Sequence, residues 1–284
     1  AEDAEAAIRE RERLTHQLAP LPATPSQATA KQEEPREPEP TATLRVAGDR
    51  AMVGLVEELA AAYRAEGSRI AVTVTALTNG AGILGASEGR YDIGLSARDP
   101  IIGTDPRGLV FTKIAKEGMC IVTNPANAVA NMSGETVEAV FTGALTNWSQ
   151  VPGSPISGPI HVLDYEPTMP LQEAFESIFL EGGPPVSAGS TVEASEELLR
   201  EAVIADTYAV GFVRVGQTGA TNAVDHNSVA CTVKEARSGQ YGAERNLWLV
   251  TKGVPSGPAS AFTEWIRHSP RATALIESGW IALS

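Results

Sequence analysis

From about residue 43 the apolar positions fall into short β-branched runs that alternate with amphipathic segments. Strands are predicted at 44–48 (LRVAG), 70–76 and 91–95, and helices at 52–65 and 134–142. Alternation at that spacing argues for an α/β domain with a mainly parallel sheet. The clearest single stretch is 124–152. A loop holding Asn124, Pro125 and Asn127 leads into a helix spelled by Val137, Val140 and Phe141, Gly143 stops it, and Trp148 follows on a polar turn.

The first 42 residues follow neither pattern. Residues 1–19 are rich in Ala, Glu and Arg, with Glu5 and Arg9 at the i,i+4 spacing of a helix surface pair. Their apolar positions Ile8, Leu14 and Leu18 are too sparse for a coiled-coil seam. Residues 20–42 carry six prolines and almost no apolar bulk, the composition of an extended linker. The expectation is a leader helix (1–19) and a Pro/Glu-rich linker (20–42), which together tether the domain to an envelope or membrane protein partner.

Composition narrows the function classes. A chain of 284 residues with 43% hydrophobic residues can bury one large core or two medium ones. No run approaches the roughly 18 consecutive apolar residues of a membrane span. The net charge is −13, of which the leader and linker hold −4, from nine acids and five bases, leaving −9 on the remainder. So acidic a chain is a poor nucleic-acid binder and offers an anionic ligand no long-range attraction. The chain starts at Ala among small residues, which suits a mature exported protein after signal-peptide removal.

Candidate chemistry is thin. Cys120 and Cys231 both lie in apolar, strand-like runs, consistent with a disulfide in an oxidising compartment or with two buried thiols. There is no Cys-x-x-Cys, and His16, His161, His226 and His268 are scattered, so no metal site is expected. No nucleophile elbow is present, and the Gly-rich turn at 80–85 lacks the Lys and hydroxyl of a P-loop. Neither enzymatic activity nor a cofactor is expected.

The 124–152 stretch, with its Phe-Thr-Gly…Asn-Trp ending, resembles a signature of the periplasmic phosphate-binding (PstS-like) solute receptors of bacterial ABC importers. The resemblance runs from about Thr43 to the C-terminus. It takes in 80–98 (Gly-rich turn, helix, Tyr-Asp-Ile-Gly strand, Ser-rich loop), 111–124 as a strand crossing between lobes, and 208–216. It also takes in 241–250 as the returning strand and 262–280 as terminal helices. The resemblance implies a type II periplasmic-binding-protein fold, with lobe one at 43–114 plus 246–284 and lobe two at 115–245, two chain crossovers, and a ligand cleft between the lobes. It implies a periplasmic or otherwise exported location.

The resemblance also points to four anion-binding loops, each altered here. The first, Gly-Ser-x-Thr in the family, reads Gly48-Asp49-Arg50-Ala51. The second keeps its glycines but places Asn79 before Gly80 where a Ser is usual. The third, Ser-Ser-Arg, survives as Ser96-Ala97-Arg98. The fourth reads Tyr165-Glu166-Pro167-Thr168-Met169-Pro170-Leu171, with Arg, Ser and Thr replaced by Tyr165, Met169 and Leu171. Pro170 also removes a backbone N–H. The candidate ligand residues are therefore Asp49, Arg50, Asn79, Gly80, Ser96, Arg98, Tyr165 and Thr168. Each lost hydrogen bond to a charged group is worth about 1.5–3 kcal/mol, so phosphate affinity is expected to have drifted by powers of ten. On that basis the main expectation is a receptor fold reused as an accessory subunit of an envelope complex. The alternative is a solute receptor of an ABC importer for phosphate or another small oxyanion.

Overall fold

The computed structural model describes residues 40–284 apart from Asn79, Gly182 and Ser284. The chain divides into Ala1–Pro38 and Glu39–Ser284, and the described residues belong to the second unit. The expected leader helix and nearly all of the linker lie outside the described residues, as does Asn79.

Strand β1 (Ala42–Asp49) runs straight into helix α1 (Arg50–Ala65). In α1, Met52, Leu55, Val56, Leu59 and Ala62 recur at helical spacing and form its buried stripe. Strand β2 (Ile70–Leu77), helix α2 (Ala81–Ser87) and β3 (Ile93–Ser96) follow, with β2 and β3 pairing parallel to β1 on either side. These elements share a core with helices α7 (Gly257–His268) and α8 (Pro270–Glu277), built around Leu44, Leu55, Leu95, Phe262 and Ile276.

A second, separate core gathers Phe141, Trp148, Tyr165, Phe175, Phe212 and Tyr241. It is built by β5 (Asn131–Met132), α3 (Gly134–Phe141), β6 (His161–Tyr165) and α4 (Pro170–Phe175). A π-helical turn (Glu176–Leu180) follows, then β7 (Thr191–Glu193), α5 (Glu196–Ala205), β8 (Ala209–Arg214), β9 (Asn222–His226) and α6 (Val233–Ser238). Phe175 stacks on Phe212 at 3.9 Å between centroids and meets Phe141 at 4.5 Å. Two cores make two lobes.

The lobes are joined by β4 (Leu109–Thr123) and β10 (Glu244–Lys252). Residues 109–118 of β4 pair with β10, which also pairs with β3, whereas 119–123 pair with β8. The short β11 (Ile281–Ala282) adds to β4. The strand order is β2-β1-β3-β10-β4-β8-β6-β7. The sheet is mixed rather than mainly parallel, because both joining strands run antiparallel to their neighbours. A one-way βαβ reading of the sequence cannot register strands that serve two lobes at once.

Within the second lobe, α3 ends at Phe141 and Gly143 takes φ 79°, as the glycine stop requires. Trp148 differs from the expected polar turn. It opens a one-turn 3-10 helix capped by Asn147, is wholly buried, and donates Nε1–H to the Tyr208 carbonyl at 2.9 Å. Asn124 donates to the carbonyls of Val203 and Ile204, closing the end of α5. Cys120 on β4 and Cys231 form a disulfide, with Cα atoms 5.7 Å apart.

Candidate functional site

The loops expected to hold a ligand sit at the C-terminal ends of strands, where open α/β sheets place their sites. Close backbone packing shapes the first two. A Cβ on Gly48 would lie 2.3 Å from the Leu95 carbonyl oxygen, and one on Gly82 would lie 2.7 Å from that of Ala47. The Gly-rich turn therefore lets α2 start flush against β1 and β3, with Gly80 at φ 80° as the residue before the helix. At the β1–α1 junction, Asp49 is buried and accepts a hydrogen bond from the Ala51 N–H at 3.0 Å, capping α1. Arg50 is exposed and forms no hydrogen bond or ion pair among the described residues.

Three of the expected ligand residues are occupied by the protein itself. Ser96 is buried, and its Oγ donates to the Arg98 carbonyl at 2.9 Å, tying the loop to itself. Arg98 grips Asp105 with both terminal nitrogens, at 3.0 and 2.5 Å, and its guanidinium holds the Asp105 carboxyl below its usual range. Tyr165 is the clearest correction. Its ring is wholly buried, meets Phe212 edge-on, and donates its hydroxyl to the Phe212 carbonyl at 3.0 Å. Burial pushes that phenol far above its ordinary pKa. A residue read as the replacement for a ligand-binding Arg is thus part of the second lobe's core. Thr168 and Gly80 are exposed. Leu171 is buried at the start of α4, while Met169 and Pro170 are half-buried ahead of it.

The structure adds charged residues that the sequence did not single out. Helix α4 packs against α1 and carries Glu173, which burial, then the neighbouring Asp49 carboxylate, push above the usual carboxyl range. Arg245 and Arg50 pull in the opposite direction. On the joining strands, Glu117 lies directly opposite Arg245 and its side chain is fully buried. Arg245 donates to Glu117 Oε2 from Nε (3.0 Å) and Nη2 (2.8 Å). Arg214 Nε stands 3.6 Å from the other oxygen while its Nη1 binds Glu196 at 3.0 Å. No sequence motif marks this network. It depends on pairing across 128 residues, for which only the register of β4 and β10 gives the signal.

A family model described as the PBP superfamily domain matches residues 25–268, and the chain belongs to that superfamily. The phosphate-binding protein PstS of Bacillus subtilis (strain 168) is 25% identical over 248 residues, covering 85% of this chain and 81% of the relative. An ABC-type phosphate transport receptor from Vibrio cholerae superposes with a TM-score of 0.76 at 24% identity, over 84% of this chain and 99% of the receptor. PstS from Borrelia burgdorferi gives 0.73 at 20% identity, over 86% and 99%. The fold is that of PstS-like binding proteins: mixed α/β, two-lobed, with two joining strands. No helix among the described residues is long and apolar enough to cross a membrane.

Proposed function

We propose that this chain is a solute receptor of the ABC-importer type, holding a small oxyanion-bearing solute between its lobes. The observation that supports this reading most is the match to a phosphate-binding relative across 81% of that relative's length. The geometry agrees in one respect: Arg50, exposed at the start of α1, is a guanidinium able to grip an oxyanion at two points. The Cys120–Cys231 disulfide favours an exported protein working in an oxidising compartment.

The reading also carries an expectation of weak binding for inorganic phosphate. Arg98 is committed to Asp105, Tyr165 to the core, and Met169-Pro170-Leu171 offer no side-chain donor. That apolar loop is the specific observation favouring the second reading, a receptor fold serving as an accessory subunit tethered to a partner by residues 1–42. A thermal-shift panel of phosphate, sulfate, molybdate and small organic anions separates the two. A ligand at 100 times its Kd stabilises by about 2.7 kcal/mol. A response that Arg50→Ala removes supports the receptor. Silence across the panel, with loss of a pull-down partner on deletion of residues 1–42, supports the accessory subunit.

A further inference from the structure

The two cores are linked by more than the two joining strands. Along the edge of β4 that β10 leaves free, the partner changes: Ala115 and Lys116 pair with β11, and pairing with β8 begins at Met119. Gly118 lies at the change. A Cβ there would stand 2.9 Å from Val215 Cγ2 and 3.3 Å from Ile281 Cδ1, so its bare backbone is what lets these two side chains close over the strand. Val215 belongs to the second core, and so does Ile281, although Trp280 and Ala282 on either side of it pack with the first. Successive side chains on a strand point to opposite faces, which is how the two-residue β11 serves both lobes at once. Three further contacts run from the same segment to the second lobe. Glu277 accepts from Arg237 Nη2 at 2.9 Å, the Ser278 carbonyl accepts from Gln217 Nε2 at 3.4 Å, and the Arg214 guanidinium lies over the Trp280 ring at 5.2 Å.

We infer that residues 277–282 form a clasp, a third and noncovalent joint that holds the lobes in one disposition and must let go before they turn about β4 and β10. The exposed contacts are the weaker part: an ion pair half open to water and a long hydrogen bond add little, and a cation over an aromatic ring adds modestly. Ile281 is the stronger part, because its branched side chain is out of water only while the second core is in place around it. Turning the lobes slides Val215 past Gly118 and withdraws Ile281 from that core. Two joining strands alone would bend without such a loss. The clasp therefore makes the turn a step between two states instead of a free swing. It concerns the protein without solute and stands apart from the receptor reading.

The test is the distance distribution between spin labels on Ala61→Cys in α1 and Glu201→Cys in α5, exposed positions on opposite lobes of the full chain. Cys120 and Cys231 are bonded to each other and take no label. The labelled protein is expected to show one narrow distance. Ile281→Ala should raise a second distance at least tenfold in population, since truncating a buried isoleucine costs more than one factor of ten. Ile281→Val with Glu277→Ala keeps most of the core and should raise the same second distance about threefold or more. A broad or two-peaked distribution before either change overturns the clasp. So does an unchanged single distance in Ile281→Ala, or in the milder pair where Ile281→Ala does not fold.

Discussion

Glu117 offers the sharpest test of how the two lobes are held together. Its carboxylate is fully buried on β4 and accepts two hydrogen bonds on Oε2 from Arg245, whose side chain is itself only 9% exposed. Glu117→Ala would leave that guanidinium buried without its hydrogen-bonded counter-charge, a loss of about 3–5 kcal/mol. Glu117→Gln keeps the shape and one acceptor but turns an amide towards Arg214, so a smaller loss, about 1.5–3 kcal/mol, is expected. The double replacement Glu117→Leu with Arg245→Met removes both charges. Arg214 still has Glu196 at 3.0 Å, so no unpaired cation remains and the pair should return to within about 1 kcal/mol of the unaltered protein. Urea unfolding at pH 7, read as a shift in midpoint at constant slope, measures all three. A loss below about 1 kcal/mol for Glu117→Ala, or a double variant weaker than either single one, would refute the claim that uncompensated charge governs this junction.

Removing the disulfide by Cys120→Ala with Cys231→Ala should cost about 3–5 kcal/mol in unfolding experiments, because the bridge closes a loop with a sequence separation of 111 residues. A loss under about 1 kcal/mol would show that the unfolded chain gains little freedom from opening that loop. Gly82→Ala should destabilise by about 1–3 kcal/mol, since the three atoms nearest the new Cβ are all backbone: Ala47 O at 2.7 Å, the Gly48 Cα at 2.7 Å and Leu95 O at 2.9 Å. An unchanged melting temperature would mean that α2 can lift off the sheet freely. Glu173 supplies a pH signature. Its folded-state pKa is raised by burial and by Asp49, so the folded protein holds a proton that the unfolded chain has released, and stability falls as pH climbs through that interval. Glu173→Gln should therefore be more stable than the unaltered protein at pH 7, with the gain vanishing below about pH 4, where the carboxyl is protonated in both states. A gain that persists in acid would point to packing instead of charge.

Much of this protein is determined locally and could be read along the chain. The stripe Met52-Leu55-Val56-Leu59 makes α1, Gly143 ends α3, and the glycines of 80–85 announce a helix pressed against strands, because each signal acts within a few residues of itself. These signals by themselves gave an α/β domain, and the two-lobed receptor fold was indicated by the family resemblance of the ordered stretches from about Thr43 onward. Side-chain commitments were a different matter. Tyr165 and Arg98 looked alike as polar residues on cleft loops, yet one is bonded into a core made by Phe212 and the other is held by Asp105. Trp148 read as a turn residue and became a buried anchor. Glu173, Glu117 and Arg245 carried no motif and acquired their setting only when the lobes were joined. Period and turn chemistry specify elements because they depend on near neighbours along the chain. Whether a polar group faces a ligand, a counter-charge or a carbonyl depends on residues about a hundred positions away, which only the packed tertiary structure brings within hydrogen-bonding distance.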